Sequence, residues 1–176
     1  HAGYDGVKQL EGEILTYAIH LQEVRLDTDD SARLSQVIVA IRRAVHSAKY
    51  LKDTHHDLQT FQESVDDRFN AWFGRFRDGA DEFYELLNAL QAAQSTSHRF
   101  EMLVELKNKN EEIHAALHKE IHREVADDHL SELQISTLLN VNREFYLSNQ
   151  SLLSALADAL LDTHSATDFE SLPASV

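Results

Sequence analysis

The feature that most constrains this chain is a run of apolar side chains between residues 34 and 58, spaced three and four positions apart. This spacing places them on one face of an α-helix. A helix of about 25 residues is about 37 Å long, so the helices that cover its apolar face must also be long. The stripe consists of Leu34, Val37, Ile38, Ile41, Val45, Ala48 and Leu51.

Further segments repeat this helical spacing, and short polar breaks separate them. The chain has one Pro and five Gly, too few turn residues for a strand-rich fold. The sequence therefore predicts an all-α, antiparallel up-and-down bundle of about five long helices over residues 1–162, followed by a frayed tail over 163–176. Thr28, Ser97 and Asp128 are the predicted N-caps. The further segments are 5–25, 64–93, 97–125 and 130–160. In the first of them the apolar face predicted to line the core consists of Leu10, Ile14, Tyr17, Leu21 and Val24.

The third segment is rich in aromatic residues. Five of the eight Phe and the only Trp lie between Phe61 and Phe83, which predicts the thickest layer of the core in this region. Gly74 and Gly79 interrupt the same segment, and each costs about 1 kcal/mol relative to Ala inside a helix. Two interpretations are open: the glycines allow close helix packing, or they mark a kink.

The charge of the chain narrows the range of partners. Its formal net charge is −14, and such a surface repels phosphate backbones, so nucleic acid is not expected as a partner.

No run of 18 apolar residues is present that could span a membrane. The chain has no Cys, which excludes disulfides and thiolate metal sites. The residues from His1 onward lack a signal-peptide layout and read either as the middle of a longer protein or as the edge of an excised segment.

Three histidines, His114, His118 and His122, are spaced at i, i+4 and i+8 on the fourth predicted helix. Two imidazoles at i and i+4 can share a divalent metal ion. Three in line cannot all reach one ion, because each helical turn adds about 5.4 Å. The alternative is a half-buried helix border on which the rings stack. Glu111-x-x-His114 also resembles the carboxylate-x-x-His element of di-iron bundles, which needs carboxylates from two further helices.

A second group of possible ligands lies near the end of the 34–58 stretch, where Asp53 and Asp57 share a helical face close to His56. It is either a cation site or a solvated helix end.

Arg42 and Arg43 either bind a phosphate or carboxylate or form a solvated face. No nucleophile triad or phosphate loop is present, so the chain is not predicted to be an enzyme, and no cofactor beyond a divalent metal is expected. The candidate metal ligands are His114, His118, Asp53, His56 and Asp57.

Two stretches in the first third of the chain bear a family resemblance. They read Lys8-Gln9-Leu10-Glu11-Gly12-Glu13-Ile14-Leu15 and Ala40-Ile41-Arg42-Arg43-Ala44-Val45-His46-Ser47-Ala48-Lys49-Tyr50-Leu51-Lys52-Asp53, with His56-Asp57 following. This part of the chain resembles the cytoplasmic PhoU-like domain that follows the membrane part of bacterial sodium/phosphate cotransporter family proteins. The resemblance covers residues 8–61, and beyond them it rests on the helical pattern.

The resemblance implies a fold of antiparallel three-helix units and a regulatory or sensing role in sodium-coupled phosphate uptake. It places the domain at the cytoplasmic face of the bacterial inner membrane, with its own upstream transmembrane domain as a partner and a homodimer as a further possibility. Because PhoU-like bundles often have six helices, a five-helix version would leave an apolar groove for a partner chain or an upstream helix. The Glu/Asp-x-x-x-Asp metal motif of PhoU proteins is replaced here by Arg42-Arg43-Ala44-Val45-His46, so the resemblance does not carry their metal clusters over.

Overall fold

A computed structural model describes residues 2–23, 26–126 and 130–173. Within these residues the chain forms helices and no strands, which confirms the predicted all-α class. The long helices have 21 to 36 residues, and one short helix follows them. The elements are α1 (Ala2–Gln22), α2 (Thr28–Glu63), α3 (Asp67–Ala89) with a 3₁₀ turn (Leu90–Ala92), α4 (Thr96–Ala126), α5 (Glu132–Leu160) and α6 (Thr163–Ser171).

The helices pack as antiparallel neighbours, with α5 at the centre of the packing. α2 makes its most extensive contact with α5, and α4 packs against both α5 and α3. The α2–α5 pair is antiparallel, because Arg33 near the start of α2 donates hydrogen bonds to carbonyls at the end of α5. α1 packs chiefly along the outside of α2, where Lys52 lies over the ring of Tyr4.

The core consists of two apolar clusters. One is built around the fully buried Trp72, and the other around the fully buried Phe83. The aromatic segment is therefore buried, as predicted. Gly79 allows close packing, because a Cβ built on it would lie 2.9 Å from Cγ2 of Ile113 on α4. A Cβ on Gly74 would meet nothing within 4 Å, and α3 is continuous through both glycines.

Two helices begin slightly earlier than predicted. The side chain of Asp27 accepts a hydrogen bond from the Asp30 N–H at 2.8 Å and caps α2, so the predicted cap Thr28 is the first helical residue. Ser95 accepts a bond from a first-turn N–H of α4, whereas the predicted cap Ser97 lies inside the helix. Both predictions were wrong because neighbouring Ser, Thr and Asp residues can all cap, and local sequence does not rank them.

The start of α5 is defined by a capping box. The Ser131 hydroxyl accepts a hydrogen bond from the Gln134 N–H, and the Gln134 side chain accepts one from the Ser131 N–H. Two first-turn donors are thereby satisfied at once. The predicted cap Asp128 lies outside the described residues.

The tail beyond residue 162 was expected to be frayed, and this is wrong for Thr163–Ser171, which form α6. The side chain of Asp162 caps its first turn. Phe169 is buried in the Phe83 cluster, and Lys107 Nζ donates a 2.6 Å hydrogen bond to the Leu172 carbonyl just after the helix. These stabilising contacts come from distant parts of the chain, so a local reading of the tail does not detect them.

The apolar face of α1 is only partly covered. Leu10 and Tyr17, predicted to face the core, are 56% and 65% exposed. Ala18 is buried and Ile14 half-buried, so the packed face is rotated away from the edge that carries Leu10 and Tyr17. Val24, also predicted for this stripe, lies outside the described residues.

Candidate functional site

An apolar groove lies between the end of α3 and the second half of α5, with a volume of about 500 Å³. Leu152, Leu156 and Leu160 form the α5 wall and follow one another at intervals of four residues, on one face of the helix. Leu87 and Leu90 line it from α3 and the 3₁₀ turn. The wall pattern suits the apolar face of another helix. The remaining lining residues are Asn88, Gln91, Ala93 and Arg99.

The path of α3 explains why this groove is open. Asn70 Nδ2 donates to the carbonyls of Phe61 and Gln62 at 3.2 and 2.8 Å and ties the α2–α3 hairpin at its turn. Further along, α3 packs against α4 at Gly79, while α2 follows α5. No lining residue of the groove comes from α2. Because α2 packs chiefly on α5 and does not line this region, the groove remains at the far end of α3.

A seam of buried polar side chains sets the register of α5 against its neighbours. Asn149 Nδ2 donates to Asn110 Oδ1 at 2.9 Å, and Asn142 Nδ2 donates to a backbone carbonyl of α4 at 3.0 Å. On the other side, the hydroxyls of Ser47 and Ser148 lie 3.0 Å apart. A shift of either interface by one residue would leave these groups unpaired in the core, at a cost of about 1–3 kcal/mol for each. The seam therefore stabilises the wall of the groove in one position.

Ionic contacts fasten the end of α5, which is also the end of the groove. Arg43 Nη1 lies 3.0 Å from Asp158 Oδ2 and 2.7 Å from Glu170 Oε1. Arg33 donates to the Ala159 carbonyl at 2.7 Å and so neutralises part of the negative end of the α5 dipole. Arg43 is therefore engaged within the chain, whereas Arg42 is exposed. Burial raises the pKa of Asp158, although Arg43 acts in the opposite direction.

The histidine row on α4 contains two overlapping pairs of unlike geometry, His114–His118 and His118–His122. The His114 ring is half-buried and lies 4.6 Å from the Tyr146 ring, measured between centroids. The His114 and His118 rings are inclined at 30°, with centroids 6.1 Å apart. The exposed rings of His118 and His122 are 4.4 Å apart and inclined at 70°. Burial, with a smaller contribution from His118, lowers the pKa of His114.

The remaining candidate metal ligands lie on α2. Asp53 and His56 are exposed, and Asp57 is half-buried. Among the residues that the structure describes, no three His, Asp or Glu side chains form a group that could hold a metal ion. The structure thus brings His114 next to His118 but does not join this pair with Asp53, His56 and Asp57 into one site.

The groove-forming role of Leu152, Leu156 and Leu160 was missed in the sequence. Their spacing is the spacing of any core stripe, so a leucine that faces a groove and one that faces the core look alike. The buried Asn110 was also missed, because it lies in the polar run between Lys107 and Glu112. An unbroken helical period through that run is the only sequence signal that one of its residues points inward.

In the described part of the chain, no helix combines the length and the apolar character needed to cross a membrane. Comparison with protein-family models, with curated protein sequences and with solved structures finds no match for this chain.

Proposed function

We propose that this chain is a non-enzymatic regulatory domain of a sodium-dependent phosphate transporter, located at the cytoplasmic face of the bacterial inner membrane, and that it acts by helix–helix contact. Two observations support the proposal. Residues 8–61 resemble the PhoU-like domains of that transporter family, and the helices leave an uncovered apolar groove. The groove is the observation that carries the mode of action, because a helix can dock there without rearrangement of the core.

The dimensions of the groove define the segment that would fill it. From Leu152 to Leu160 the α5 wall rises about 12 Å, a little over two turns. A docking helix would therefore present apolar residues at i, i+3 or i+4, and i+7, which is how amphipathic helices bind grooves. Asn88, Gln91 and Arg99 at the rim can bond to its polar flanks.

Charge favours the transporter's own membrane part as the source of that helix. The domain carries a formal net charge of −14. Cytoplasmic loops of membrane proteins carry an excess of Lys and Arg near the membrane. Attraction between the acidic domain and these basic loops would bring the groove to the membrane part, whereas two copies of the domain repel each other.

The test of the groove places one charge in it. In the complete transporter, Leu156→Asp should change sodium-dependent phosphate uptake into vesicles at least fivefold, because an unpaired carboxylate opposes docking of an apolar helix face. Leu133→Asp is the matched control, since Leu133 lies on the same helix and is 77% exposed. Equal uptake by the two variants would contradict the proposal. Self-association of the isolated domain that Leu156→Asp abolishes would identify a second copy as the occupant instead.

The coding sequence upstream of His1 provides a second test. The proposal expects several apolar spans of about 20 residues before this point. A start codon directly before His1, with no such spans in the gene, would contradict assignment to a transporter.

For the groove test, Leu156→Ala serves as a milder variant in case the aspartate of Leu156→Asp prevents folding.

A further inference from the structure

We infer that His118 and His122 form a chelating site for a borderline divalent transition-metal ion such as Zn²⁺ or Ni²⁺ on the outer face of α4. The site does not depend on the regulatory role proposed above. It differs from the pair expected from sequence, His114 and His118, and the difference rests on ring geometry.

Chelation by two imidazoles imposes a separation on their rings. With a metal–nitrogen distance of about 2.0–2.1 Å, the metal lies about 3.2 Å from each ring centroid. Two ligands at about 90° then place the centroids about 4.5 Å apart, and a tetrahedral angle places them about 5.2 Å apart. The His118–His122 centroid separation of 4.4 Å fits the smaller angle.

The other pair does not fit. A centroid separation of 6.1 Å between His114 and His118 would require an angle of about 145° at the metal, which a two-ligand site on adjacent turns does not favour. The His114 ring is also half-buried and packed against Tyr146. A move of His114 towards a metal would give up this packing, whereas His118 and His122 are both exposed.

The surroundings of the pair are compatible with a cation. Lys119 and Arg123 each follow one of the two histidines by a single residue and therefore point about 100° away around the helix. Imidazole suits zinc and nickel, and water completes the coordination of an ion held by two ligands. A chelate across one turn would hold the last two turns of α4 together.

The test is calorimetric titration of the full, untagged chain with Zn²⁺ at pH 7.5. Wild type should bind one ion at this site, and His118→Ala and His122→Ala should each weaken binding at least tenfold. His114→Ala is the matched control and should change the affinity less than twofold.

Thermal unfolding gives a second readout. Zn²⁺ should raise the unfolding midpoint of wild type and of His114→Ala, but not of His118→Ala or His122→Ala, because only a native chelate links binding to folding. If His114→Ala removes binding, the sequence-predicted pair is the site and the inference is wrong. Equal Zn²⁺ binding by all these proteins would also overturn it, since other histidines would then be responsible.

Discussion

The two glycines of α3 provide a matched test of the packing between α3 and α4. Gly74→Ala adds a methyl group that meets nothing within 4 Å, so it should stabilise the fold by about 1 kcal/mol through helix propensity. Gly79→Ala gains the same propensity but puts its Cβ 2.9 Å from Cγ2 of Ile113. Because Ile113 is β-branched and stiff at χ1, its methyl group cannot turn aside.

The overlap sets the size of the effect. Overpacking of a well-packed core costs about 1–3 kcal/mol. The helix term is common to both variants, so the difference in unfolding free energy isolates the overlap: Gly79→Ala should be about 1–3 kcal/mol less stable than Gly74→Ala. At this chain length, each kcal/mol corresponds to roughly 2–4 °C in the unfolding midpoint.

Urea unfolding of the two variants measures this difference, and Ile113→Leu provides the control. Leucine has no methyl group on Cβ, so Gly79→Ala in the Ile113→Leu background should recover most of the lost stability. If Gly79→Ala stabilises wild type as much as Gly74→Ala does, α3 and α4 do not approach each other at this point, and the reasoning is refuted.

Three further predictions concern titration and α6. Because the pKa of His114 is lowered, wild type should lose stability relative to His114→Gln as the pH falls below 6.5, measured by urea unfolding; parallel pH profiles would contradict this. The raised pKa of Asp158 should have the opposite effect on stability. Relative to Asp158→Asn, wild type should gain stability as the pH falls towards 3.8, and a loss of stability would show that Arg43 dominates. Phe76→Ala should lower the free energy of unfolding by about 3–5 kcal/mol. Phe169→Ala should cost less because α6 can detach as a unit; hydrogen exchange would show this as lost protection confined to α6.

The helices could be predicted because their signal is local. The stripe over residues 34–58 lies within α2 (Thr28–Glu63), and the aromatic segment beginning at Phe61 is buried as expected. A period of three and four residues, with few glycines and prolines, leaves a long helix as the way to bury these side chains. The short helix α6 was not predicted, because its stability depends on the burial of Phe169 against distant residues.

Candidate sites were predicted less well, for a geometric reason. Spacing along one helix identifies neighbours, and His114 and His118 are indeed neighbours on α4. Spacing does not tell which ring packs against another helix, as His114 does against Tyr146. It also cannot tell whether Asp53 on α2 comes near α4, because that depends on the rotation of both helices about their axes.

The amino-acid sequence alone determined that this chain is all-helical, acidic and built from long amphipathic segments, because helix periodicity and charge are properties of neighbouring residues. Only the tertiary structure decided that α2 makes its most extensive contact with α5, that α3 approaches α4 at Gly79, and that Leu152, Leu156 and Leu160 line a groove. The physical reason is that an apolar stripe requires burial but does not specify its partner. The partner is selected by contacts between distant residues, such as the close approach at Gly79 and the paired amides of Asn110 and Asn149.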